Sequence, residues 1–91
     1  MNESILQEDD RIVNGPRQAA YGTPLDNWSR TAALWSAYLG VTVTAEQAAM
    51  CLVLVKVARE ANRPHRDNLV DGAGYFGVIE KIQDERKARS T

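Results

Sequence analysis

Lys56 and Arg59 lie three residues apart in an otherwise apolar segment, so on a helix they share one face. Asp67 and Asp71, four apart, share a face of the segment that follows, with Tyr75 one turn further on. If a short turn joins the two helices, they pack as antiparallel neighbours. Arg59–Asp67 and Lys56–Asp71 then become natural pairs. Such a cluster can close on itself as a structural ion-pair network. It can equally hold a phosphate on the cations while the carboxylates meet a ribose hydroxyl, a base amino group or Mg²⁺. A second group precedes it: Arg17, Gln18 and Tyr21 lie within five residues, bounded by Gly15 and Gly22. Arginine offers a planar fork for phosphate, glutamine reads a base or ribose edge, and tyrosine stacks. Trp28, with Asn27 and Arg30, opens the next helix, whose N-terminus favours an anion. The alternative is a plain connector, with Tyr21 anchored in the core and the Trp35 side chain a core residue.

Other chemistries are poorly supplied. One cysteine and one histidine make neither a disulfide framework nor a zinc site. Cys51, inside the apolar segment, reads as a small buried hydrophobe, and His65 as an exposed turn residue. No serine has an identifiable base, so no catalytic residue is named. The Gly72-x-Gly74-x-x-Gly77 spacing follows no strand and opens no βαβ unit, which removes it as a dinucleotide fingerprint. A net charge of −1 lacks the basic excess of a nucleic-acid-binding surface. The acidic N-terminus has no signal-peptide core, and the longest apolar run is too short for a bilayer.

These residues need helices to position them. Residues 3–13 predict a short helix striped by Ile5, Leu6, Ile12 and Val13, ended by Asn14-Gly15-Pro16. Thr23 as N-cap, Pro24 at the first helical position and Asp26 in the first turn open a helix to Leu39. Its buried face is Leu25, Trp28, Ala32, Trp35 and Leu39. Gly40 stops it, and Val41-Thr42-Val43 bridges to a capping box, Thr44 to Gln47. The central helix reaches about Asn62, and its Ala48–Ala58 run reads as buried with Lys56 inside it. Arg63-Pro64-His65 breaks the chain. The last helix begins near Asp67 and passes Ile82, burying Leu69, Val70, Ala73, Phe76 and Ile79. Three glycines within it point to close approach by another helix or by a ligand. The fold class is all-α: a small bundle of three main helices plus a short N-terminal one. The whole forms a single domain, with an arm over 1–14, a core over 15–82 and a charged tail that frays over 83–91. At 91 residues with so apolar a central helix, the chain is expected to self-associate into a homo-oligomer.

The ordered segments RQAAYG, NWSRTAALWSAYLG, KVAR and HRDNLVDGAGY resemble a family of small proteins encoded by bacteriophages, especially those of actinobacteria. The likeness covers about residues 15–79 in one register. More distantly, Lys-x-x-Arg and Asp-x-x-x-Asp-x-x-Gly-Tyr resemble a phage domain associated with nucleotide modification. That domain is itself similar to the all-α MazG-type nucleoside triphosphate pyrophosphohydrolases. The resemblance implies an α-helical, oligomeric, nucleotide-related protein; the N-terminus and the short apolar runs lead us to expect it in the host-cell cytoplasm. One departure matters. The pyrophosphohydrolases hold Mg²⁺ with Glu-Glu-x-x-Glu followed by Glu-x-x-Asp, whereas this chain has Lys56-Val57-Ala58-Arg59, and its aspartates are four apart.

Cations in that place suit direct phosphate binding. The expected function is capture, without cleavage, of a nucleotide or a cyclic or ADP-ribose-type signal, countering host defence. The expected ligand-binding residues are Arg17, Gln18, Tyr21, Trp28, Lys56, Arg59, Asp67, Asp71 and Tyr75, with no cofactor and no metal. The partner is a nucleotide-like small molecule, with neither a nucleic-acid polymer nor a membrane. The alternatives are a Mg²⁺-dependent pyrophosphohydrolase using Asp67, Asp71 and Glu46 or Glu60, and a structural or protein-interaction module.

Overall fold

The computed structural model describes residues 3–8 and 21–90. Three helices carry the fold: α1 (Pro24–Leu39), α2 (Ala45–Asn62) and α3 (Arg66–Arg89). A further helical turn spans residues 5–8. There is no strand among the described residues.

Local chemistry sets each boundary. The Thr23 hydroxyl accepts from the Asp26 N–H at 3.3 Å, and Pro24 opens α1. Gly40 closes it at φ 74°, a left-handed conformation that costs glycine nothing, and donates its N–H to the Ser36 carbonyl. The Ser36 hydroxyl accepts from the Val43 N–H at 2.8 Å, which pins the link to α2. Thr44 and Gln47 satisfy each other's backbone N–H groups as the expected capping box. A second box, Ser4 with Gln7, opens the turn over 5–8. Arg66 ties that turn to the start of α3, donating to the Glu3 carbonyl at 2.9 Å and lying 3.6 Å from Glu8. The rest of the expected N-terminal helix, with Ile12 and Val13, lies outside the described residues.

α2 and α3 form an antiparallel hairpin, the most extensive contact in the fold, and α1 lies across both. The core joins Leu25, Trp28 and Ala32 of α1, Ala45, Ala48 and Ala49 of α2, and Val78 and Ile82 of α3. Alanines on α2 and Ala32 on α1 let the helices approach closely, and Gly74 is buried on α3.

Five expectations are corrected here. Leu39, expected on the buried face of α1, is exposed at the end of that helix. The Ala48–Ala58 run is not buried all round: Met50, Leu54, Val55 and Val57 are exposed. α2 has only two described helical neighbours, too few to cover a helix that is apolar on every side. Cys51 is exposed for the same reason. On α3 the buried stripe is Val70, Gly74, Val78 and Ile82, a four-residue step that turns Leu69 and Phe76 out to solvent. The charged tail does not fray after Gln83; α3 continues to Arg89. Arg89 pairs with Asp26 at 3.0 Å and with Glu85, Arg86 pairs with Glu46, and Glu85 accepts from the Leu25 N–H at 3.2 Å. Ion pairs thus clasp the end of α3 to the N-termini of α1 and α2, where carboxylates also suit the helix dipoles.

Candidate ligand groove between the second and third helices

The hairpin turn brings Lys56 of α2 against Asp71 of α3, Nζ to Oδ2 at 2.9 Å. Lys56 is mostly covered, its side chain 16% exposed, whereas Asp71 keeps 45% of its surface in water. This is one of the two pairs expected from the sequence. The other, Arg59–Asp67, does not form: Asp67 sits 3.8 Å from His65 Nδ1. Arg59 is exposed and has no ion pair among the described residues.

Beside Lys56 a groove of about 570 Å³ opens between the two helices. Val53, Val57 and Ala61 form one wall, and Leu69, Ala73 and Phe76 the other. Lys56, Glu60 and Asn68 supply the polar groups. Glu60 is fixed in place, accepting from the His65 N–H at 3.0 Å and from Asn68 Nδ2 at 3.1 Å. Those two donors hold its carboxyl below the ordinary glutamate value. Gly72 lines the groove too, and a Cβ built there meets nothing within 4 Å. Helix packing therefore does not require this glycine; its effect is to leave the floor clear. The volume falls within the range of small-molecule sites, which are mostly apolar with a few fixed polar groups.

The other expected site residues that are described do not converge on this groove. Trp28 is buried, and Tyr75 packs edge-on against it, with ring centroids 5.9 Å apart and planes at 85°. Both serve the core. Tyr21 is exposed, and its carbonyl accepts from Arg30 at 3.1 Å. Arg17 and Gln18 lie outside the described residues. Of the carboxylates that an enzyme would need, Asp71 holds Lys56, Asp67 lies beside His65, Glu46 holds Arg86 and Glu60 holds the hairpin turn. Among the described residues there is no group of three or more His, Cys, Asp or Glu side chains able to hold a metal ion. No described helix is long and apolar enough to cross a membrane.

Among the polar residues of the groove, sequence reasoning missed Asn68; Glu60 entered only as a metal ligand of the enzyme alternative, and Gly72 only as one of three helix glycines that point to a close approach. Glu60 and Asn68 flank the predicted turn symmetrically, where residues of an antiparallel hairpin meet. His65 is exposed in the turn, as expected, and has a further part there. It is the N-cap of α3, its Nδ1 accepting from the Asp67 N–H at 3.2 Å, so the helix begins at Arg66.

A small all-α hairpin domain with an apolar groove and one partly covered cation is the class that this geometry defines. The chain belongs to a family described as a domain of unknown function (DUF6378), whose model matches residues 4–83. It is 47% identical over 88 residues to the Gene 55 protein of Mycobacterium phage L5, covering 91% of this chain and 56% of that protein. It is 40% identical over 86 residues to the Gene 55 protein of Mycobacterium phage D29, covering 93% of this chain and 57% of that one. The chain thus spans a little over half the length of these relatives. No solved structure matches it. The likeness to proteins of phages that infect actinobacteria is borne out.

Proposed function

We propose that the groove between α2 and α3 binds a nucleotide or nucleotide-derived molecule and retains it without cleavage. The observation that carries this reading is Lys56, a mostly covered ammonium on the wall of an apolar groove whose counter-ion, Asp71, is half exposed. A phosphate competes with Asp71 for the same ammonium, since both are oxyanions and Asp71 can turn to water. The apolar walls, with the Phe76 ring exposed at one of them, receive a flat base. Asn68 and Glu60 present a donor and an acceptor to a base or sugar edge. Arg59, on the outer surface of the same helix, adds long-range attraction rather than contact. Retention of a signalling nucleotide would deprive a host defence of its messenger, which fits a family with relatives in phages.

The test is a thermal-shift and calorimetric panel of mononucleotides, cyclic nucleotides and ADP-ribose derivatives, with bound material recovered for mass spectrometry. At least one compound is expected to raise the melting temperature by about ten degrees or more when present at about a hundred times its dissociation constant. It should come back intact. Recovery of a cleaved product would replace capture by hydrolysis. Failure of the whole panel to bind would remove the reading.

A further inference from the structure

We infer that the α2–α3 face docks a second copy of this chain, which roofs the groove. Met50, Leu54 and Val57 run down the outer side of α2 in steps of four and three, and Leu69 and Phe76 run down α3 in a step of seven. The two stripes lie on neighbouring antiparallel helices and meet at the groove. Leu54, Val57, Leu69 and Phe76 each keep between 48% and 58% of their surface in solvent, and Met50 keeps 39%. Together these five expose on the order of 500 Å² of apolar surface, the size of patch that marks an interaction site. With the side chains around them, the face approaches the roughly 800 Å² per partner of a stable interface.

Three features select a second copy. Lys56 and Asp71 neutralise each other within the face, so of the charged groups lining the groove only Glu60, hydrogen-bonded to His65 and Asn68, has to keep clear of its like in a second copy. A two-helix face laid on its own copy makes a four-helix layer, an ordinary way to bury two apolar stripes. α2, left half uncovered by its two helical neighbours among the described residues, gains core by association. A small ligand would not cover the stripe, because Met50 and Leu54 lie outside the groove walls. That the roofed groove also holds a ligand rests on the function proposed above; the pairing itself does not.

Sedimentation velocity on the 91-residue chain between about 1 and 100 µM tests it. The wild type is expected at twice the chain mass. Leu54→Glu should weaken association at least tenfold while its helical circular dichroism stays unchanged. Leu54→Gln serves if the charged variant does not fold. Leu34→Glu, on a single exposed strip of α1, should remain dimeric. A wild type that is monomeric at 100 µM overturns the inference and gives the face to some other partner. So does a folded Leu54 variant that dimerises as tightly as wild type. A dimer that binds no compound of the panel removes the ligand reading alone, and a monomer that binds one removes the dimer alone.

Discussion

Asp71 does two opposed things at the residue scale. It offsets the cost of holding Lys56 away from water, and it occupies the ammonium that a phosphate would use. Asp71→Asn should therefore lower stability by about 1 kcal/mol, a figure reduced by the exposure of the carboxylate. The same variant should bind a phosphorylated ligand more tightly than wild type. Lys56→Met should abolish that binding while costing little stability, since the methionine stem packs where the lysine stem did. Chemical denaturation alongside calorimetry separates the two effects. If both variants bind as wild type does, the ammonium plays no part in recognition. Arg59 illustrates a different limit. Spacing put it on a shared face with Lys56, yet positions three apart still differ by about 60° around the helix axis, and only Lys56 lines the groove.

At the scale of the element, Gly72 sets helix propensity against site space. Within α3 it costs about 1 kcal/mol relative to alanine, and the open volume above it means an alanine would clash with nothing. Gly72→Ala should raise stability by up to about 1 kcal/mol and weaken ligand binding, because the new methyl group enters the groove floor. A variant that is stabilised and binds at full strength would place the ligand elsewhere. The start of α3 is equally specific. His65→Ala should cost about 1 kcal/mol in urea unfolding, and His65→Asn should restore most of it, because asparagine accepts from the same first-turn N–H groups.

The whole molecule is held by a short core and by the clasp at the end of α3. Arg86 holds the Glu46 carboxyl below its ordinary value, and Arg89 does the same for Asp26. A carboxylate lowered on folding adds stability that is complete above its unfolded value and is lost as pH falls through its folded one. Glu60, lowered by its N–H donors, acts in the same direction. The melting temperature should therefore be flat near neutrality and fall as pH drops below the ordinary glutamate value of 4.5. Glu46→Gln should start lower at pH 7 and fall less steeply, which a pH series of melting curves will show. Equal slopes for the two proteins would mean that the clasp does not contribute to acid stability.

Helix boundaries were written in a few local words: Thr23-Pro24, Gly40, Thr44 with Gln47, and the break at Pro64. Each acts through a side chain or a φ angle within four residues, so neighbours in sequence settle it. The Lys56–Asp71 pair followed from the same local grammar, because a short turn fixes how two helices pair off. Burial did not. Leu54, Leu69 and Phe76 look like core residues, and only the count and placement of neighbouring helices decides that they face water. The joining of Glu46 to Arg86 and of Asp26 to Arg89 likewise spans 40 and 63 residues. Caps and turns are short-range interactions that a chain carries with it. Faces, grooves and clasps depend on which distant segments arrive, and that is settled when the helices pack.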